Sequence, residues 1–183
     1  LGVKVLLETP IKVVTGEYID TGAQRIETAT LIWAAGVRAA HDVDAMELDK
    51  GPGARLAVDE HCRTKHPGVY AVGDVGGLTD AEGKPYPAMV ETALQTGRGV
   101  ADNILSEIRG QQAGAVKVKL HGVMVSVGNY FAVADLMGVR PPGWISLIMK
   151  YLVNAHYLYG ILGTRGVWNY FRDEILHRKQ RVT

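Results

Sequence analysis

Three features of the 183-residue sequence predict an α/β fold. The run Val69–Val72 is apolar, with β-branched and aromatic residues, and lies between Pro67-Gly68 and Gly73-Asp74, as a buried strand of a parallel sheet would. From Pro87 to Arg109, Met89/Val90, Ala93/Leu94, Gly97, Val100/Ala101, Ile104/Leu105 and Ile108 recur at helical spacing. Around these two elements lie short runs of strand-forming residues punctuated by glycine.

In chain order, Val3, Val5 and Leu7 alternate with Lys4 and, more loosely, with Leu6 and Glu8, and predict a half-buried strand. Ile11–Val14, Glu17-Tyr18-Ile19 and Arg25–Thr28, parted by Gly16 and Thr21-Gly22, predict a small antiparallel meander. Leu31–Ala35 is an apolar run ending at Gly36, and His41–Gly53 is an acidic connecting loop. Arg55–Asp59 reads as a short strand, and a glycine-rich loop, Val75–Lys84, leads from Asp74 to the helix, whose first turn accepts Pro87. Gly97 and Gly99 inside that helix predict either close packing against a backbone or ring, or a kink. Val116–Leu120, Met124–Val127 and Asn129–Asp135 alternate like strands, the last two joined by the turn dipeptide Gly128-Asn129.

After Pro141-Pro142-Gly143, Trp144–Leu162 and Val167–Ile175 read as two largely apolar helices broken at Gly163. Ser146, Lys150, Asn154 and Tyr157 form one narrow polar stripe on the first, and the basic cluster His177–Arg181 follows the second. Lys150, Asn154 and His156 disfavour full membrane insertion. Apolar faces with Trp and Tyr, flanked by Arg and Lys, suit helices lying on an anionic membrane. A helical pair packed on its own domain or on a second subunit is the other reading.

Composition narrows the function. A net charge of +1 argues against a nucleic-acid binder, which carries a basic excess. The single cysteine, Cys62, excludes an internal disulfide and a redox dithiol pair, and points to a reducing compartment. His61, Cys62 and His66 are neighbours, but no further ligand pair stands at a supporting spacing, so no metal site is assigned. No secretory signal peptide is recognisable, and a chain opening on Leu1 within a strand-like run is expected to continue upstream.

The candidate site starts from Gly73-Asp74. Ligands of open α/β sheets sit beyond the carboxyl ends of strands. There Gly73 lets a ligand approach the backbone, and Asp74 offers acceptor oxygens to a polyol or ribose. An ordinary Gly-Asp turn is the plainer alternative. Ala34, Ala35 and Gly36 are small enough for backbone to lie against a cofactor. The stretch from Thr64 through Val69–Val72 to Gly73-Asp74 resembles the second flavin-contacting motif of the FAD-dependent pyridine-nucleotide oxidoreductases. Thr30 through Ala35-Gly36 resembles the segment with which that family crosses from its NADH domain back to its FAD domain.

The resemblance implies that Asp74 holds the ribityl chain or pyrophosphate of FAD. It also implies that the helix N-terminus faces the flavin ring, where its dipole favours developing negative charge. Val90-Glu91-Thr92-Ala93-Leu94-Gln95 then resembles, in part, the Ala-Gln-x-Ala-x-Gln motif of the type II NADH dehydrogenases, single-subunit NADH:quinone oxidoreductases. Ala93 and Gln95 match; Val90 and Glu91 depart, and the carboxyl of Glu91 could move a proton or suit a different quinone head.

The fold thus implied is the second half of a Rossmann-like flavoprotein with two dinucleotide-binding domains, followed by a β-hairpin and two amphipathic helices. Residues 1–36 end the NADH-binding domain, 37–112 form the second half of the FAD-binding domain, and 113–183 attach to a membrane or form a dimer. Implied cofactor contacts are Ala34, Ala35, Gly36, Gly73, Asp74, Val90 and Glu91, with Glu91 and Gln95 catalytic. FAD is the cofactor, NADH the substrate, quinone the acceptor, and the enzyme a homodimer on the cytoplasmic face of the cell inner membrane. No Gly-x-Gly-x-x-Gly follows a strand, so these residues alone are expected to be inactive. The alternatives are a non-catalytic attachment or dimerisation module, or a flavoprotein reductase with another acceptor.

Overall fold

The computed structural model describes residues 2–128 and 130–180, with backbone alone for 174–180. The expected meander forms: β1 (Val13–Val14), β2 (Tyr18–Asp20) and β3 (Arg25–Glu27) make an antiparallel sheet in that order. Its turns are set by threonines. Thr15 Oγ1 accepts the Tyr18 N–H at 3.0 Å, and Thr21 Oγ1 accepts that of Gln24 at 3.1 Å. Arg25 stacks its guanidinium 3.5 Å from the centre of the Tyr18 ring, across the sheet.

Several expected strands are absent. Val3–Leu7 and Leu31–Ala35 are exposed and belong to no sheet. Val69–Val72 touches a neighbour at one antiparallel bridge, Arg63↔Tyr70, and Arg55–Asp59 is held by bridges at Leu56, to Lys50 and in parallel to Gly76. A buried strand needs backbone partners along its length, and no parallel strand lies beside these segments among the described residues. Loops supply part of the pairing instead: the Ala71 N–H donates to Cys62 O at 3.0 Å and that of Leu56 to Val75 O at 2.8 Å. Gly76 and Gly77 permit that closeness, since a Cβ on either would lie within 2.5 Å of Ala71 O or 2.9 Å of Leu56 O.

Helix α1 runs Val90–Ile108 and starts later than Pro87 because Met89 is extended, at φ −143° and ψ 150°. It ends where Gly110 takes φ +70° and the Gln111 N–H bonds Ser106 O, a closing turn that favours glycine. Two cores flank the Gly73 segment. Ala39, Val43, Leu56 and Ala71 form one. Cys62, Leu78 and Val100 form the other, with Tyr70, Val72, Val116 and Val118 packed against it.

Val116–Leu120, expected as a strand, instead lies as an extended strap along α1. Asn103, Gly99, Gln95 and Glu91, four residues apart on the helix, each hold one station of it. Asn103 grips Gly114 with both ends of its amide, at 2.8 and 2.9 Å. Gly99 leaves room for Val116, whose Cγ1 would be 2.9 Å from any Cβ there. Gln95 donates to Lys119 O at 2.8 Å and accepts its N–H at 2.9 Å, and Glu91 holds His121. Gly99 is thus closely packed, but against the Val116 side chain rather than the backbone or ring expected, and Gly97 faces open space.

The expected hairpin forms as β4 (Val123–Val127) and β5 (Phe131–Asp135), with Val125 opposite Val133; Asn129 lies outside the described residues. Two helical arms follow within α2 (Gly143–Gln180), parted at Gly163, whose φ of 64° and ψ of −163° are not helical. Gly143 leaves space for the Phe131 ring of β5. The polar stripe of the first arm turns inward at Ser146, Lys150 and Asn154, while Tyr157 stays exposed. Ser146 Oγ donates to the Pro141 carbonyl at 3.0 Å, Lys150 Nζ reaches Ser126 Oγ at 2.6 Å, and Asn154 donates to the Tyr170 hydroxyl at 3.1 Å. Trp144, Ile148, Leu152, Val153, Ile161 and Leu162 are left exposed, as is Trp168 on the second arm. The basic cluster His177–Arg181 has no described side chains, and Arg181 lies outside the described residues.

Candidate functional site

The site is organised by the first turns of α1. Gly73 begins a single 3-10 turn, Gly73–Val75, at φ +63°, a left-handed conformation that costs any other residue. A Cβ on Gly73 would lie 3.1 Å from the Cβ of Ala93, so glycine lets this turn rest on the helix. The Gly73 N–H donates to Thr96 Oγ1 at 2.9 Å; that hydroxyl is fully buried and bonds back to Thr92 O at 2.8 Å. The helix thus fixes the Gly-Asp turn through one threonine, a link the sequence did not signal. Asp74, next along, is exposed and makes no hydrogen bond or ion pair among the described residues.

The N-terminus of α1 is open. Met89 caps it without a side-chain hydrogen bond, and the first helical bond runs from the Ala93 N–H to Met89 O. The N–H groups ahead of Ala93 have no helical partner and present partial positive charge. Beside them Thr92, only 4% exposed, carries a buried hydroxyl with no hydrogen-bond partner among the described residues. A buried hydroxyl left unpaired costs stability unless something satisfies it. An open helix end beside an orphaned buried hydroxyl fits an electron-rich group such as a flavin.

Glu91 lies about 200° around the helix from Ala93, on the other side of the opening. Its carboxylate accepts the backbone N–H of His121 at 3.1 Å and is also bonded to His121 Nδ1. Partial burial disfavours its charge, but the two bonds from His121 outweigh that and hold the carboxyl below its ordinary range. Gln95, one turn on, has both ends of its amide committed to Lys119. Val90, the first helical residue, is exposed.

Ala34, Ala35 and Gly36 are exposed, and nothing lies within 4 Å of where a Gly36 Cβ would be. The chain beyond them does reach the site: Ala39 is buried in the same core as Ala71, two residues before Gly73. Cys62 is wholly buried, and burial together with Asp59 pushes its thiol up to about 11. Tyr70, within the Gly-Asp stretch, donates its hydroxyl to Glu107, which also pairs with Arg63. The two together hold Glu107 below the ordinary carboxylate range. This cluster ties the stretch to the far end of α1 and is a fastening.

Comparison with known proteins identifies the family and the fold of the chain. The profile of the pyridine nucleotide-disulphide oxidoreductases matches residues 1–97. The chain is 28% identical over 142 residues to the internal alternative NAD(P)H-ubiquinone oxidoreductase A1, mitochondrial, of Arabidopsis thaliana, covering 70% of this chain and 28% of that protein. It is 26% identical over 167 residues to the type II NADH:quinone oxidoreductase of Staphylococcus haemolyticus, covering 88% of this chain and 42% of that protein. The chain therefore spans less than half the length of these relatives. Among solved structures, a pyridine nucleotide-disulfide family oxidoreductase from Enterococcus faecalis is similar with a TM-score of 0.50 and 22% identity, over 69% of this chain and 30% of that one. That likeness is one of fold, α/β and Rossmann-like. With the profile covering more than half of its residues, the chain belongs to the pyridine nucleotide-disulphide oxidoreductase family.

Proposed function

We propose that the chain is the acceptor-facing part of a FAD-dependent NADH:quinone oxidoreductase of the type II kind. The observation that carries this reading is the open N-terminus of α1, with the Thr92 hydroxyl unpartnered at one side and Gly73 seated on Ala93. When bound, FAD supplies the two-electron chemistry that links a nicotinamide to a quinone. Asp74 accepts hydroxyl hydrogen bonds from the ribityl chain, Gly73 admits the chain to the backbone, and the free N–H groups of α1 favour negative charge on the ring. Ala34, Ala35 and Gly36 line the cofactor, and Val90 borders it. Glu91 and Gln95 stand where the acceptor meets the helix, with Gln95 holding the strap in place and Glu91 supplying charge.

In this reading residues 1–36 close the NADH domain, 37–112 complete the FAD domain and 113–183 form the attachment region. The 183 residues by themselves are inactive, because no Gly-x-Gly-x-x-Gly loop is among them. A homodimer rests peripherally on the cytoplasmic face of the cell inner membrane, through the outward apolar residues of α2. The inward turn of Ser146, Lys150 and Asn154, which leaves the apolar residues outside, supports this. No described helix is long and apolar enough to cross a membrane. That same apolar surface also suits a second reading, in which α2 serves attachment or dimerisation alone.

The test is Asp74→Ala in the full-length protein. Flavin affinity, read as the Kd of the apoprotein for FAD, falls by about tenfold or more, the loss of roughly one strong hydrogen-bonding group, and flavin content falls with it. Flavin content equal to that of the parent would refute the proposal.

A further inference from the structure

Glu91 holds His121 in an arrangement the proposed function does not yet use. An ionised carboxylate has no proton to give, so the bond between Glu91 Oε1 and His121 Nδ1 requires the proton on Nδ1. That fixes the ring: Nε2 is the nitrogen left to gain or lose a proton. Nε2 makes no hydrogen bond among the described residues, and the His121 side chain is 59% exposed, against 26% for Glu91. The second Glu91 oxygen takes the backbone N–H of His121, so the carboxylate fixes both ring and main chain of one residue. The next station back, Gln95 on Lys119, stiffens the strap that carries it.

We infer that Glu91 and His121 form a proton-donating dyad at the open end of α1, with His121 the residue that protonates the acceptor and Glu91 its positioning residue. The inference rests on the reading of the protein as a NADH:quinone oxidoreductase. Reducing a quinone to a quinol takes two electrons and two protons. A nicotinamide donor yields its two electrons with one proton, as hydride, so one more proton comes from water. Protonated His121 delivers it: the Nε2–H bond breaks, an O–H bond forms on the quinone, and the ring stays held through Nδ1–H. The exposed ring then regains its proton from solvent. Glu91 opposes the positive ring and keeps the tautomer fixed, as a carboxylate beside a catalytic histidine does. The other charged groups on the elements that meet here are Lys117 and Lys119 on the strap, Arg98, Asp102 and Glu107 on α1, and, across Gly122, Asp135 paired with Arg140.

The experiment compares two acceptors in the full-length flavin-loaded protein. Quinone needs a proton at the acceptor; ferricyanide does not. In His121→Gln, which keeps a hydrogen-bond donor but does not ionise, quinone reduction falls about 100-fold while NADH:ferricyanide turnover is unchanged. Imidazole added to His121→Ala restores quinone turnover. Glu91→Gln lowers kcat for quinone with less effect on its KM. Independently of turnover, the Glu91 carboxyl, followed by carbon NMR, titrates at higher pH in His121→Ala than in the parent. Equal loss with both acceptors and no rescue by imidazole, or unchanged quinone turnover, overturns the dyad. Should the parent reduce neither acceptor, the proposed function fails, and an unmoved Glu91 titration then overturns the pair on its own.

Discussion

Replacing Gly73 by alanine tests whether the Gly-Asp turn is held against α1 as described. Two costs add. The backbone at φ +63° disfavours any Cβ by about 1–2 kcal/mol. The new methyl would also lie 3.1 Å from Ala93 Cβ and 3.5 Å from its Cα, which forces a small shift of turn or helix and adds a few tenths of a kcal/mol. A loss of about 2 kcal/mol is expected, which for an m-value of about 2 kcal/mol/M moves the urea midpoint down by roughly 1 M. Gly97→Ala is the matched control, because nothing lies within 4 Å of its Cβ position and its backbone is helical. There alanine stabilises by about 0.5–1 kcal/mol. The assay is urea unfolding of both variants and the parent, followed by far-ultraviolet circular dichroism. If Gly73→Ala moved the midpoint upward, or no further down than Gly97→Ala, the turn would not be seated on Ala93 and the site geometry would be wrong.

Asn103→Ala removes both amide bonds to Gly114 and is expected to cost about 1–3 kcal/mol, with faster hydrogen exchange confined to residues near 113–116. The Cys62 thiol, raised to about 11, is neutral in the fold at a pH where the unfolded chain ionises it. Its contribution is therefore complete below pH 9 and is lost as pH rises to 11. Cys62→Ala should flatten the fall in urea midpoint across that window, and a parallel fall in both proteins would contradict the assignment. Removing residues 143–183 should abolish co-sedimentation with anionic vesicles if the outward apolar residues of α2 reach the membrane; retained binding speaks against that surface.

Local pattern was the legible part of this sequence. The meander around Gly16 and Thr21-Gly22, the helix through Val100, the hairpin and the helical break at Gly163 all follow from turn chemistry and periodicity within a few residues. What failed was partnership. Val116 and Val118 do alternate inward with Lys117 and Lys119 outward, as predicted, but they face a helix rather than a sheet. A period of two reports which residues turn inward and says nothing about what covers them. Val69–Val72 failed for a related reason, since a run of buried type becomes a strand only where neighbours supply its hydrogen bonds.

At the site, Gly73 was legible through its motif, whereas Thr96, which holds its N–H, lies 23 positions away and left no local mark. The stripe Glu91, Gln95, Gly99, Asn103 stood in the sequence at one residue per turn, three side chains able to grip a backbone and a glycine that makes room for Val116. Glu91 and Gln95 pointed to chemistry and Gly99 to close packing, but nothing local joined the four into one face that holds a strap. The polar stripe of the first arm of α2 was legible, but not that Ser146, Lys150 and Asn154 would point inward, because periodicity does not say which face a helix turns to its neighbours.

The stations along α1 also dictate an order of assembly. Residues four apart share a face only once the chain is coiled, so the strap has nothing to fasten to until α1 exists. Its docking closes loops of only 11 to 30 residues, a modest entropic barrier. The C-terminal hairpin and arms should therefore consolidate after α1, drawn in from the Asn103 end toward Glu91, and the proton-bearing pair would be the last buckle to shut.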